Sequence, residues 1–327
     1  MDKRRMSPRF LTALLLAVLL PACAGRSRPS LTAEELGGAI PFPADPVAPS
    51  IITNPSEINE YVVSRFWDAF LEKPRGCDST LVNGVPPVEV EEALGRYISL
   101  LENVIDGDKA RAFMGGFFVK VSDFQSANPT SKVFGFFEDK TRGYLNDPNS
   151  PLRDEDLYFP YVKGLSESGF VEEGMRKVYS REAGMCSLNR KGTPAADIVF
   201  TLLDGRRATL HGIEAGHTLL LFSNPGCEAC DELTGRLASD KTVGRLVGSG
   251  ELAVVNLYID LEVEKWKALA AKYPKTWLNG HDQDYTIRKD LTYNVRAIPS
   301  LYLLGKDKTV ILKDAPIEKV LLYLENI

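Results

Sequence analysis

Apolar residues recur every three to four positions from Ser56 to about Ser180, and every second position or in unbroken runs after Asp197. The first spacing puts one face of a helix in a core; the second is that of strands. Ile58, Val62, Phe66 and Phe70 predict a helix with Ser56 as its N-cap, and Val90, Leu94, Tyr97, Ile98 and Leu101 a second after the Pro86-Pro87 break. Phe113, Met114, Phe117, Val121 and Phe124 form a third stripe, and Val133, Phe134 and Phe137 begin a fourth. Leu157, Tyr161, Val162 and Leu165 form a fifth, which Pro160 would kink or start. Asp147-Pro148-Asn149-Ser150-Pro151 is a turn by composition. The aromatic stripes are read as core rather than a cofactor box. Asp154-Glu155-Asp156 is read as a solvated helix start, because it lacks the regular oxygen ladder of a calcium loop.

After Asp197, Ile198, Phe200 and Leu202 alternate with Val199, Thr201 and Leu203; Asp204-Gly205 supplies a hairpin turn, and Ala208 and Leu210 continue. Thr218–Phe222 and Leu252–Ile259 are continuous apolar runs, as strands covered on both faces require. A helical segment from Cys227 to about Val247 lies between them. A helix over Glu262–Lys272, strands at Leu301–Leu304 and Val310–Leu312, and a last helix over Ile317–Leu324 complete the pattern. The expected architecture is α + α/β in two domains: an all-α domain over 56–189, then strands alternating with helices over 190–327.

The chain has 327 residues, enough for two cores. Its net charge of −5 and lack of a basic face or tail argue against nucleic acid as a partner. Lys3, Arg4, Arg5 and Arg9 precede an apolar stretch, Phe10–Leu20, which is too short to span a bilayer but suits a secretory signal. Leu20-Pro21-Ala22-Cys23 resembles the lipobox of a bacterial lipoprotein, with Pro21 unusual at its position. The resemblance implies cleavage after residue 22, acylation of Cys23 and a membrane anchor of several chains. Losing residues 1–22 removes four bases and Asp2, so the charge of −5 becomes −8. That is the wrong sign for an anionic bilayer, and leaves the anchoring to the lipid. Residues 23–55, rich in Pro and Ser, read as an extended tether.

Five cysteines carry the candidate chemistry: Cys23, Cys77, Cys186, Cys227 and Cys230. Cys227-Glu228-Ala229-Cys230 follows the strongest buried strand and opens a helix. A thiol at a helix N-terminus faces unpaired N–H groups and the positive dipole end, which favour the thiolate. The second cysteine, one turn on, can attack a mixed disulfide on the first. Ile298-Pro299 precedes a strand, where proline costs a ladder hydrogen bond and so needs a reason. With these motifs, residues 190–327 resemble the thioredoxin superfamily, especially its membrane-tethered periplasmic branch, which serves cytochrome maturation and envelope thiol reduction. The resemblance implies an α/β/α sandwich with a mixed central sheet, Pro299 as a cis-proline facing the pair, and Ile298 as a contact for an extended substrate peptide. The whole chain is also similar to exported Gram-negative lipoproteins in which a helical domain of unknown function precedes a thioredoxin-like domain. Tyr144–Arg153 fits that first domain.

The chain departs from the superfamily at two positions. Gly226 stands where a Trp usually precedes the first cysteine, and Leu221 where a buried acid usually lies. Glu228, Asp231 and Glu232 are acids that could replace it. Glu228 beside the nucleophile raises its pKa by like-charge logic, against the helix dipole. A less acidic thiol is a poorer leaving group in a less oxidising disulfide, so a reductase or isomerase is expected over a strong oxidant. No cofactor is expected. Partners would be envelope thiols or disulfides and an electron donor.

Several rival readings stay open. The pair could be a structural disulfide or half a zinc site, although His211, His217 and His281 show no ligand spacing. A peroxidase would carry Thr where Asn224 stands. A redox-inactive, lipid-anchored scaffold that recognises partners through the fold is the rival from another class. Cys77 and Cys186 could pair, closing a loop worth about 4–5 kcal/mol. Otherwise they are free buried thiols or a second relay. Tyr273 and Trp277 read as core or rim aromatics, with peptide binding as the alternative.

Overall fold

The computed structural model describes residues 38–75, 78–104 and 106–327. Seven helices come first: α1 Pro55–Arg65, α2 Asp68–Leu71, α3 Pro87–Glu102, α4 Gly107–Ala127, α5 Val133–Leu145, α6 Glu155–Glu167 and α7 Glu173–Cys186. Asn54, not Ser56, caps α1: its Oδ1 accepts from Ser56 N (2.9 Å), with Pro55 at the first helical position, where no donor is needed. The buried stripe is also shifted from the expected one. Ile58 is exposed, whereas Val63, Phe66, Trp67 and Phe70 are buried. Trp67 stacks on Phe117 (4.8 Å) and meets Phe137 edge-on (4.9 Å), so the aromatic stripes close into one core. The described part of the tether joins it: Ile40 N donates to Gly84 O (2.9 Å), and the Phe42 ring stacks on Phe70 (5.4 Å). α6 runs through Pro160 instead of starting there.

A mixed sheet follows, built from β1 Val199–Leu202, β2 Arg207–Thr209, β3 His217–Phe222, β4 Leu252–Tyr258, β5 Leu278–His281, β6 Ser300–Leu304 and β7 Val310–Leu312. The strand order is β2-β1-β5-β4-β3-β6-β7, with β3, β4 and β5 parallel and the other pairings antiparallel. Helices α8 Glu228–Ser239, α9 Lys241–Gly248, α10 Val263–Ala270, α11 Thr286–Lys289 and α12 Ile317–Glu325 complete the domain. β3 explains its own unbroken apolar run. Leu219 and Leu221 face the core under α8, α9 and α12; Leu220 and Phe222 face the core shared with Tyr293 and Tyr302. The segment read as one helix after Cys227 is two, because Asp240 is extended and caps α9 through Val243 N (2.9 Å).

The two parts meet at the start of α6, and here the solvated reading of residues 154–156 is corrected: all three carboxylates are buried. Asp154 caps α6 through Asp156 N (3.0 Å) and Leu157 N (3.1 Å), and pairs with Lys191 Nζ (2.5 Å). Asp156 pairs with Arg111. Glu155, with no side-chain exposure, takes Arg296 Nε (2.7 Å) and Lys313 Nζ (2.8 Å) from the second domain. Lys313 also donates to Cys186 O (2.9 Å) and Leu188 O (2.5 Å). A carboxylate in an interior needs such partners, and the two domains supply them jointly.

Two outcomes follow from these contacts. Trp67→Ala should lower unfolding free energy by about 3–5 kcal/mol in denaturant titration. For Asp154, burial alone would raise the carboxyl pKa, but Lys191 and the Leu157 N–H outweigh it and hold the pKa below its ordinary value. A depressed carboxyl stabilises the fold above its unfolded pKa and loses that contribution as pH falls through the folded one. Asp154→Asn should therefore cost about 1.5–3 kcal/mol at pH 7. Urea titrations should show the gap to wild type shrinking below about pH 4, near the unfolded carboxyl value.

Candidate active site

β3 ends at Phe222, and the chain turns through Gly226 into α8. Gly226 has φ +78°, a left-handed backbone that strains any residue with a Cβ. The turn thus gives a physical reason for glycine where the superfamily usually has tryptophan. Cys227 is the extended N-cap of α8, and its Sγ lies 3.2 Å from Cys230 N. Cys227 is half-buried and Cys230 wholly buried, and the two form a disulfide with Cα atoms 5.2 Å apart. Glu228 is exposed on the first turn of α8 beside Cys227.

The Ile298–Pro299 peptide is cis, and Ile298 O stands 3.9 Å from Cys227 Sγ. Ile298 and Pro299 are half-buried like Cys227, so the outer sulfur and this backbone segment reach the surface side by side, forming the two sides of one candidate peptide groove. The C-terminal ends of parallel strands β3 and β4 frame it, where α/β sheets commonly bind ligands.

Sequence patterns missed the polar rim of this groove. Asn224 Nδ2 donates to Asp260 Oδ2 (2.6 Å), Arg288 Nε pairs with Asp260 Oδ1 (3.2 Å), and Arg288 Nη1 donates to Val295 O (3.4 Å). This chain ties the loop before Cys227 to the segment before Pro299. The one available signal was the position of Asp260, just past the apolar run of β4.

Leu221 is wholly buried in the apolar core, so no acid stands at that position. The nearby buried polar groups are neutral: Ser223 Oγ bonds Asn256 Oδ1, and Asn256 Nδ2 donates to Asn279 Oδ1 (3.1 Å). Tyr273 and Trp277 are buried. Among the described residues, no three side chains of metal-ligating type converge. His211 bonds Ala195 O (2.8 Å), His217 lies by Glu251, and His281 packs on Trp266.

Residues 24–189 match the family model described as a domain of unknown function, DUF5106. The chain belongs to the DUF5106 family. Its DUF5106 region coincides with the helical half, and the half that follows is thioredoxin-like in fold. A crystal structure of a thioredoxin-like protein from Bacteroides caccae is 30% identical, with a TM-score of 0.73, covering 88% of this chain and 99% of that one. The C-terminal domain of an uncharacterized protein from Bacteroides fragilis is 41% identical over 42% of this chain and 98% of its own, with a TM-score of 0.41. A domain of a possible thiol-disulfide isomerase from Cytophaga hutchinsonii is 25% identical over 43% of this chain and 94% of its own, with a TM-score of 0.38. No protein of curated description matches the chain.

Of the remaining cysteines, Cys23 and Cys77 lie outside the described residues. The candidate bridge to Cys77 falls outside them; Cys186, at the end of α7 in the DUF5106 region, is buried and forms no disulfide among the described residues. Its surroundings are those of an inert side chain. Burial first, and then the negative Glu155, push its pKa up to about 12. In reduced, folded protein at pH 7, iodoacetamide should alkylate Cys227 and leave Cys186 unmodified until denaturant is added, as read by peptide mass spectrometry.

Proposed function

We propose that the protein is a lipid-anchored, periplasm-facing thiol–disulfide oxidoreductase that acts on envelope proteins as a reductase or isomerase. What carries this reading is the placement of Cys227 and Cys230 one turn apart at the start of α8, the outer residue half-buried beside Ile298 and Pro299 and the inner one buried. The anchor rests on the residue pattern ending at Cys23.

In the reduced state the Cys227 thiolate attacks one sulfur of a substrate disulfide. That S–S bond breaks, a Cys227–substrate disulfide forms, and the departing substrate thiolate takes a proton. Cys230 then loses its proton and attacks Cys227 Sγ. This releases the second substrate thiol and leaves the Cys227–Cys230 disulfide, two electrons having passed to substrate. A dithiol protein of the envelope reverses these steps to reload the pair. When a substrate thiol resolves the mixed disulfide instead, the result is isomerisation and no electrons are consumed. The helix N-terminus favours the Cys227 thiolate, whereas Glu228 disfavours it. Ile298 and Pro299 hold the substrate strand.

The deciding experiment is trapping. Cys230→Ala, expressed with its anchor, should accumulate mixed disulfides with envelope proteins on non-reducing gels, and Cys227→Ala should not. The isolated pair should equilibrate with dithiol buffers poised between about −200 and −300 mV. If no adduct forms and the pair cannot be reduced in that range, the enzyme reading fails. The buried apolar Leu221 favours a second reading, a redox-inactive scaffold using the same fold. In that case the Cys227→Ser/Cys230→Ser variant would keep full partner affinity.

A further inference from the structure

Residues 291–299 join α11 to β6 without helix or strand, so side chains set the position of this segment. Its outer side is held by Arg288 through Val295 O. Its inner side is held by the helical domain. Asn294 Nδ2 donates to Glu155 Oε1. Arg296, whose side chain is 13% exposed, makes three attachments: Nε to Glu155 (2.7 Å), Nη2 to Asp314 Oδ2 (2.6 Å), and Nη1 to Asn146 Oδ1 (2.9 Å) and the Asn146 carbonyl. Asp314 Oδ1 accepts from Ser300 Oγ (2.7 Å), and Arg153 Nε of the helical domain donates to Asp314 O (3.0 Å). Asn146 ends α5 and Glu155 begins α6, so both are acceptors fixed by the helical domain. Ile298, two residues beyond Arg296, faces Cys227.

Building on the exchange reaction proposed above, we infer that Arg296 is a positioning residue through which the helical domain sets the Ile298–Pro299 segment for substrate peptide. It touches no reacting atom. Its planar fork donates to Asn146 and Asp314 while its charge pairs with Glu155, a combination that a lysine ammonium on a flexible stem cannot reproduce. Releasing it loosens the segment that binds peptide and leaves both sulfurs at the start of α8 in place. A small disulfide, which needs only the two sulfurs and no peptide-binding segment, is therefore indifferent to Arg296, and a peptide disulfide is not.

The test uses the full mature chain with Arg296→Met and Arg296→Lys, each checked for folding by thermal melting. Reduced protein is assayed against a one-disulfide peptide and against the small aromatic disulfide dithiobis-nitrobenzoate. Arg296→Met should raise KM for the peptide about tenfold or more, with kcat within about threefold and the small-disulfide rate within about twofold. Arg296→Lys should fall between Arg296→Met and wild type. Independently of activity, thermolysin cleavage between residues 293 and 300, read by mass spectrometry, should quicken about tenfold. If Arg296→Met does not fold, Asn146→Ala, which removes one attachment and keeps the carbonyl, should raise both peptide KM and cleavage rate about threefold. Peptide KM and cleavage both within about twofold of wild type, or equal slowing with both disulfides, overturns the inference. Wild-type protein inert towards both disulfides refutes the oxidoreductase reading, while the cleavage measurement still decides whether Arg296 holds the segment.

Discussion

A buried carboxylate organises this molecule. The Glu155 side chain has no solvent-exposed surface, and an ion in that setting is tolerated only where opposite charge and donors surround it. Arg296, Lys313 and Asn294 meet that need, all from the thioredoxin-like half. The requirement is mutual, since Lys313 is a buried cation and Arg296 a largely covered one, and each would be unfavourable alone. The helical half is therefore part of the environment in which the second half reaches its final geometry, and the contact falls on the segment that carries the cis peptide.

The sulfur pair sits at the meeting point of two stiff elements. β3 is an interior strand of the sheet, between β4 and β6, with its side chains covered on both faces, and α8 begins one tight turn after it. Gly226 makes that turn, so a backbone requirement sets the residue beside Cys227. The electrostatics around the pair are divided between the helix N-terminus, which favours the thiolate, and the neighbouring Glu228. The interior below is apolar at Leu221 and neutral along Ser223, Asn256 and Asn279, so no buried acid stands at Leu221's position beneath the pair.

Much of the architecture was legible because burial and period agree in it. The runs of β3, β4 and β6, the β1–β2 hairpin and the stripes of α3 to α6 all present apolar residues where a core needs them. The patterns failed where an element is held by something other than an apolar face. β5, Leu278-Asn279-Gly280-His281, carries two polar side chains and a glycine, and it is a strand because β1 and β4 lie on either side of it. The α8–α9 break depends on one capping Asp, and Trp67 enters the core where the helical spacing breaks between α1 and α2. Asp154-Glu155-Asp156 was misread because three adjacent acids look solvated until their cations, over a hundred positions away for Glu155, are brought beside them.

By itself the sequence determined the two-part architecture, the strand-to-helix placement of Cys227 and Cys230 and the proline that precedes β6, because these follow from local period, backbone preference and spacing along a short stretch of chain. Only the tertiary structure decided that Ile298 O comes to face Cys227, that Asp260 and Arg288 tie the loop before Cys227 to the segment before Pro299, that Lys313 reaches the carbonyl of Cys186, and that the helical half grips the segment opposite the sulfurs. Each of these joins residues distant in the chain through charges and hydrogen bonds, which leave no periodic trace in the order of amino acids.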